Sequence, residues 1–202
     1  PAFIFFFKLL YPFGLANKPT SRVAAAAGGC ILVETQALRS VGAFANLHNA
    51  LIDDCTLATH IKRSSLRIFI GLSRAVRSHR GYQDLKPIWE MVARTAFTQL
   101  RYSFVLLVSC TLIMISMFLA APLAFLLLPA QEAYIVCTLA WMVMFITYMP
   151  TLIYYQRSPL WSLALPVIGT LYLGMTWTSA LRYWRGERAC WKDRRYESNT
   201  NN

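Results

Sequence analysis

Apolar positions along the chain change rhythm at about residue 104. Before it they come in short, interrupted groups; after it they run almost unbroken. Leu66, Ile68, Ile70 and Leu72 alternate with Arg67, Phe69, Gly71 and Ser73, a period of two that predicts a strand. Val23 to Val33 reads Val-Ala-Ala-Ala-Ala-Gly-Gly-Cys-Ile-Leu-Val, and its last residues predict a buried strand. Gly28-Gly29 permits a tight turn, or a close approach that a side chain would block. Glu34 to Val41 is predicted as a short helix stopped by Gly42. Leu57, Ala58 and Ile61 have helical spacing, which sets Asp53-Asp54 at a helix start. Pro87 is placed to open a helix running to about Tyr102. The opening Pro1 to Phe13 reads equally as a membrane-surface helix or as a core strand and turn.

The second half holds three charge-free runs: Phe104 to Leu128, Ala133 to Ile153 and Pro159 to Leu181. A spanning helix needs about 20 apolar residues, and lipid requires each backbone amide to bond within its own segment. Three transmembrane helices are expected. Tyr102, Phe104, Tyr154, Tyr155, Trp161, Tyr183 and Trp184 fall near their ends, where an aromatic belt belongs. Basic residues flank the block on both sides, and three crossings would put those flanks on opposite faces of the bilayer. One run that fails to cross is the alternative, and Pro122 and Pro129 make the end of the first run the candidate break.

Charge sharpens this division. Of 202 residues, 56% are hydrophobic and 14% charged, against about 25% charged in ordinary soluble domains. A disordered chain is excluded. Pro1 to Ser103 carries 13 basic and 5 acidic residues; Phe104 to Leu181 carries only Glu132 and Arg157; the remainder carries 6 basic and 3 acidic. The domains expected are therefore 1–103, 104–181 and a basic tail 182–202. Arg74, Arg77 and Arg80, with His79 among them, form a solvated basic loop, a pyrophosphate contact or a patch for anionic lipid. Nucleic acid is not an expected partner, because this stretch leads towards a membrane block. The five cysteines lack CxxC spacing and the three histidines form no HxxxH pair, so neither a disulfide framework nor a metal site is expected in this chain.

Two places carry candidate chemistry. An Asp at a helix start can simply cap free amides and oppose the helix dipole; the alternative is a carboxylate base beside a pocket. Glu90, Arg94, Phe97 or Thr98, and Arg101 recur by three to four residues along one helix face. Arg101 then reads as an interfacial snorkelling residue or as a guanidinium aimed at a phosphate-bearing substrate.

Taken in order, Ala-Ala-Ala-Gly-Gly-Cys-Ile-Leu-Val (25–33), Leu-Ile-Asp-Asp-Cys-Thr-Leu-Ala (51–58) and Met-Val-Ala-Arg-Thr-Ala-Phe-Thr-Gln-Leu-Arg-Tyr-Ser (91–103) resemble the second half of a membrane-bound family 2 glycosyltransferase. The sequence is most similar to the hopene-associated glycosyltransferases of bacterial hopanoid biosynthesis, and more distantly to ceramide glucosyltransferases. The tail Cys-Trp-Lys-Asp-Arg-Arg-Tyr (190–196) is similar to the Trp-Lys/Arg-Gly-Arg-x-Tyr ending of such enzymes.

The resemblance implies an α/β fold, the C-terminal half of a GT-A-like domain, followed by the transmembrane helices. It implies that Asp54 is the general base towards the acceptor hydroxyl, with Asp53 in place of the usual Glu. Gly28 and Gly29 would line the acceptor side. The Gln-x-x-Arg-Trp motif falls on Thr98, Gln99, Leu100, Arg101 and Tyr102. Arg101 matches, Thr98 stands where Gln is usual, and Tyr102 replaces Trp. That departure favours a single sugar transfer over polymer synthesis. The implied partners are a nucleotide-sugar donor, a lipid acceptor and the membrane. The implied location is the bacterial inner membrane, with the catalytic part cytoplasmic. The implied cofactor is Mg or Mn, whose Asp-x-Asp ligands this chain lacks. With no Met at its start, the chain is expected to be a fragment that lacks the donor-binding half and is inactive alone. The competing expectation is a non-enzymatic scaffold or transporter subunit with a basic lipid-docking domain.

Overall fold

The structure, a computed structural model, describes residues 1–42, 44–47, 52–76, 84–127, 131–187, 190–191 and 194–195. Its helices are α1 (Ala2–Leu10), α2 (Phe13–Ala16), α3 (Thr35–Ser40), α4 (Asp53–Arg63), α5 (Leu85–Gln99), α6 (Phe104–Met114), α7 (Ala120–Leu127), α8 (Gln131–Tyr154) and α9 (Leu165–Trp184). Ala45–Leu47 and Pro159–Ala164 are 3-10 turns, and Ile115–Leu119 is a π turn. Among the described residues the one ladder is a two-residue antiparallel pair, Cys190–Trp191 with Arg194–Arg195.

This overturns the expected α/β fold. Val23 to Val33 and Leu66 to Ser73 lie in no ladder; the first turns at Gly28-Gly29, and Ile31 and Leu32, expected in a buried strand, are exposed. Alternation in Leu66 to Ser73 survives as burial: Ile70 is buried, Ile68 half-buried and Phe69 85% exposed. A period of two reports which side chains face inward; a strand also needs a neighbour to take its backbone bonds. At Ile70 that neighbour is a side chain. Asn17 Nδ2 donates to the Ile70 carbonyl at 2.9 Å, and the Ile70 N–H donates to Asn17 Oδ1 at 2.7 Å.

The chain divides into two compact units, Phe3–Gly81 with Tyr196–Asn202, and Pro1–Ala2 with Tyr82–Arg195. Among its described residues the first has small apolar cores. Ala16, Ala25 and Ile70 gather Phe7, Tyr11, Phe13 and Val23; Val41, Leu57 and Ile61 gather Val33, Leu38, Leu47 and Ile68. Of the two readings of the opening segment, the helix is the one formed, with the Phe7 ring tilted against Tyr11 and edge-on to Phe13. Lys62, on α4, donates from Nζ to the carbonyls of Ala16 (2.7 Å) and Val23 (2.5 Å), so it caps the end of α2, whose last carbonyls have no helical partner. Gly42, in the left-handed region at φ 83°, stops α3 as its sequence predicts.

The second unit is built on α9. Ala93 and Phe97 on α5 are buried, as are Ser179 and Ala180 on α9, and the Phe97 N–H donates to Ser179 Oγ at 3.0 Å. Leu107 completes this core, and Trp177 Nε1 donates to Thr111 Oγ1 at 3.0 Å. A Cβ at Gly169 would sit 2.8 Å from Phe118 Cγ, so only glycine lets α9 approach the π turn this closely.

Among the described residues three helical stretches are long and apolar enough to cross a membrane: Phe104–Leu127, Tyr134–Tyr154 and Pro159–Trp184. The first has 24 residues, about 36 Å at the usual helical rise, enough for a hydrocarbon core of about 30 Å. Their flanks are strongly apolar and outward-facing, with Leu126 77% and Val167 64% exposed, as suits lipid. Helix continues through Pro122, one of the two candidate break positions. A proline lacks the N–H for the carbonyl four residues back and crowds it; the π turn at Ile115–Leu119 widens the helix just before it. Pro129 lies outside the described residues.

Candidate functional site

Ile52 leads into α4, so Asp53 and Asp54 occupy its first two positions. Free amides and the helix dipole favour carboxylates there. Asp53 Oδ1 accepts from the Asp54 N–H at 2.9 Å, and Asp54 Oδ1 accepts from the Cys55 N–H at 2.7 Å. The capping account of this pair therefore holds in part. Asp54 does more: its Oδ2 accepts from the Gly28 N–H at 2.7 Å, across 26 residues of chain. A Cβ on Gly28 would lie 3.2 Å from that oxygen, whereas one on Gly29 would meet nothing within 4 Å. Of the two glycines only Gly28 is pressed against the carboxylate. Cys55, the next residue, is buried; its Sγ points at the Ala26 carbonyl at 3.6 Å, and burial pushes its thiol above the usual range. Asp54 is thus an oriented carboxylate whose two oxygens each keep a lone pair after one N–H bond. Such a group can take a proton from a hydroxyl brought within hydrogen-bond reach.

The second place is the end of α5. The helix begins at Leu85, two residues before Pro87, and stops at Gln99 rather than Tyr102. Pro87 still falls among the first four residues, where an N–H has no helical partner. At the far end Arg101 N–H donates to the Thr98 carbonyl at 2.9 Å and Tyr102 N–H to the Phe97 carbonyl at 3.0 Å. This is the closing pattern in which glycine is usual. Here two successive side-chain-bearing residues hold left-handed backbone, Arg101 at φ 51° and Tyr102 at φ 55°, at roughly 1–2 kcal/mol each. Thr98 Oγ1 donates to the Tyr102 hydroxyl at 3.0 Å. Tyr102 stacks on Tyr183, with centroids 4.5 Å apart and planes 22° apart, and meets Phe97 edge-on. Arg101 is exposed; Thr98 and Gln99, on the last helical turn, are half-buried.

Of the expected face of α5, Glu90, Arg94 and Phe97 or Thr98 fall within the helix at the expected spacing and Arg101 does not. Arg101 lies beyond the helix end, Phe97 is buried, and Glu90 accepts from Arg182 Nη1 and Nη2 at 2.6 and 2.9 Å. The Arg182 hydrogen bond holds the Glu90 carboxyl below its usual range.

Asp54 and Gly28 are brought together in one unit, and Thr98, Arg101 and Tyr102 in the other. Sequence reasoning did not single out Asn17 or Ser179, and read Tyr183 only as a belt residue; their roles depend on partners 53, 82 and 81 positions away. His48, Leu51, Arg77, His79 and Arg80 lie outside the described residues. Among the described residues no three His, Cys, Asp or Glu side chains gather to hold a metal ion. The side chains described do not fit the Mg or Mn that the resemblance implies.

Comparison with known proteins gives one finding: the family model for glycosyl transferase family 21 matches residues 4–202. No curated protein and no solved structure matches the chain. The match supports a glycosyltransferase; it does not specifically show the family 2 type.

Proposed function

The chain belongs to glycosyl transferase family 21, and from that premise we propose that it serves the transfer of one sugar from a nucleotide-sugar donor to a membrane lipid, with inversion. The hydrogen bond from Gly28 to Asp54 carries the assignment of the base. Asp54 takes the proton of the acceptor hydroxyl. The acceptor oxygen forms its bond to the anomeric carbon as the bond to the diphosphate breaks, and the nucleoside diphosphate leaves with that electron pair. Asp53, at the first position of α4, orders the Asp54 amide through its carboxylate. Gly28 and Gly29 lie on the acceptor side.

Thr98, Gln99, Arg101 and Tyr102 are assigned to substrate binding, with the Arg101 guanidinium directed to phosphate oxygens. Three spanning helices support a lipid acceptor, since an enzyme fixed in the bilayer meets lipids at high local concentration. The resemblance to hopene-associated enzymes is what supports a hopanoid-related lipid as the acceptor and the bacterial inner membrane, with the catalytic part cytoplasmic, as the location. Donor contacts through an Asp-x-Asp motif are not assigned to this chain, and no step is routed through a metal.

The test is product analysis. Membranes carrying the whole natural protein, supplied with nucleotide sugars and a lipid extract, are read by mass spectrometry. A lipid heavier by one sugar is expected. Longer sugar chains would overturn the single-transfer assignment, and no sugar transfer from any donor would overturn the enzyme assignment.

A further inference from the structure

The turn that carries Arg101 and Tyr102 is held in a conformation its residues disfavour, so something outside the turn must hold it. Left-handed backbone is found at both residues, and neither is glycine. Two supports come from the end of α9. Tyr183 stacks on the Tyr102 ring at 4.5 Å and also meets Phe97 edge-on at 5.4 Å. Ser179, one turn earlier on α9, accepts the Phe97 N–H at 3.0 Å in a buried contact. Phe97 in turn supplies the carbonyl that closes the turn onto the Tyr102 N–H.

We propose that Tyr183 is a positioning residue, which fixes the strained Arg101–Tyr102 turn so that the Arg101 guanidinium is presented to substrate phosphate. This rests on the assignment of that turn to substrate binding. It makes the last spanning helix a determinant of substrate affinity, through a residue that itself touches no substrate.

The experiment uses the whole protein in detergent and compares Tyr183→Ala with Tyr183→Phe, which keeps the stacked ring. Trypsin cleavage after Arg101 reads the order of the turn, with cleavage after the exposed Arg157 as an internal control. An aromatic stack of this kind converts to roughly a threefold to tenfold effect. Cleavage at Arg101 is expected to rise by that factor in Tyr183→Ala, to stay at the wild-type rate in Tyr183→Phe, and to leave Arg157 unchanged. Sugar transfer should then show KM raised by a similar factor with kcat little changed, again rescued by Phe. Unchanged cleavage at Arg101 in Tyr183→Ala, or failure of Phe to restore it, overturns the proposal. Faster cleavage with unchanged KM also overturns it, and shows that the turn does not bind substrate. If Tyr183→Ala accelerates cleavage at both arginines, Tyr183→Leu, which keeps apolar bulk but no ring, decides by the same criteria.

Discussion

The two units solve the same problem, satisfying backbone groups around an apolar core, by different means. In the helical unit (Pro1–Ala2, Tyr82–Arg195) the backbone satisfies itself. Helices close their own bonds, and small residues such as Gly169 and Ala180 let them approach. In the amino-terminal unit (Phe3–Gly81, Tyr196–Asn202) long non-helical segments have no ladder, and polar side chains take over. Asn17 pairs with Ile70, Lys62 caps α2, and Asp54 holds Gly28. The first arrangement spreads stability over many weak contacts. The second concentrates it in a few bonds, one of which also presents the candidate base.

Single substitutions should therefore hurt the two units unequally. The largest loss is expected for Asn17→Ala, which leaves both the N–H and the carbonyl of buried Ile70 unpaired. At about 1–3 kcal/mol per buried unsatisfied group, the two groups together cost about 2–6 kcal/mol. Hydrogen exchange should show protection lost around Ile70 and kept in α9; unaltered exchange at Ile70 would remove the contrast. Gly169→Val is the counterpart for the helical unit. Its Cβ meets Phe118 side-chain atoms at 2.8–3.0 Å, and overpacking of this kind costs about 1–3 kcal/mol. A thermal melt should fall accordingly, with exchange near Ile70 unchanged.

A finer probe compares the two neighbouring glycines. Gly28→Ala puts a methyl 3.2 Å from Asp54 Oδ2, displacing the carboxylate by a few tenths of an ångström while leaving the N–H in place. Turnover should drop roughly tenfold, since small misplacements of a reacting group carry large rate effects. Gly29→Ala, with open space around its added carbon, should leave the Asp54 carboxylate in place and lose less turnover than Gly28→Ala. Equal rates for both variants would separate the Gly28 contact from catalysis.

The smallest effect is expected at the Glu90–Arg182 pair, whose Glu side chain is 49% exposed. Solvent screens such pairs to about 0–1 kcal/mol. Arg182 lowers the Glu90 pKa from its ordinary value of 4.5. The contribution is therefore complete above that value and disappears as pH falls through the lower folded one. Glu90→Gln should lose a small increment of stability at neutral pH and match the wild type in strong acid; an unchanged difference at low pH would contradict the pairing.

The parts of this fold legible in the sequence are those decided locally. The spanning helices follow from uninterrupted apolar runs, and the α4 start from the spacing of Leu57, Ala58 and Ile61. The inward facing of Ile68 and Ile70 follows from alternation. What alternation cannot specify is the partner of an extended segment, and Leu66 to Ser73 found a side-chain amide where a strand was expected. Asp53-Asp54 stood out as a candidate from the sequence, but the hydrogen bond from Gly28 to Asp54 joins residues 26 apart. The end of α5 comes about three residues before the expected Tyr102, because the closing residues, Arg101 and Tyr102, are not the glycine that usually marks such a stop. Pro122 marked a candidate break that the preceding π turn absorbs.

The central claim is that the Asp54 carboxylate, held by Gly28, performs the proton transfer of a glycosyl transfer. Asp54→Asn tests it most directly, because the amide keeps an oxygen for the Gly28 N–H, gives up only the bond from the neighbouring Cys55 N–H, and cannot serve as the base. Turnover of the whole membrane-inserted protein should fall by about 10²–10⁴-fold, while insertion and thermal stability change little. Near-normal turnover in a correctly inserted Asp54→Asn protein would contradict the account.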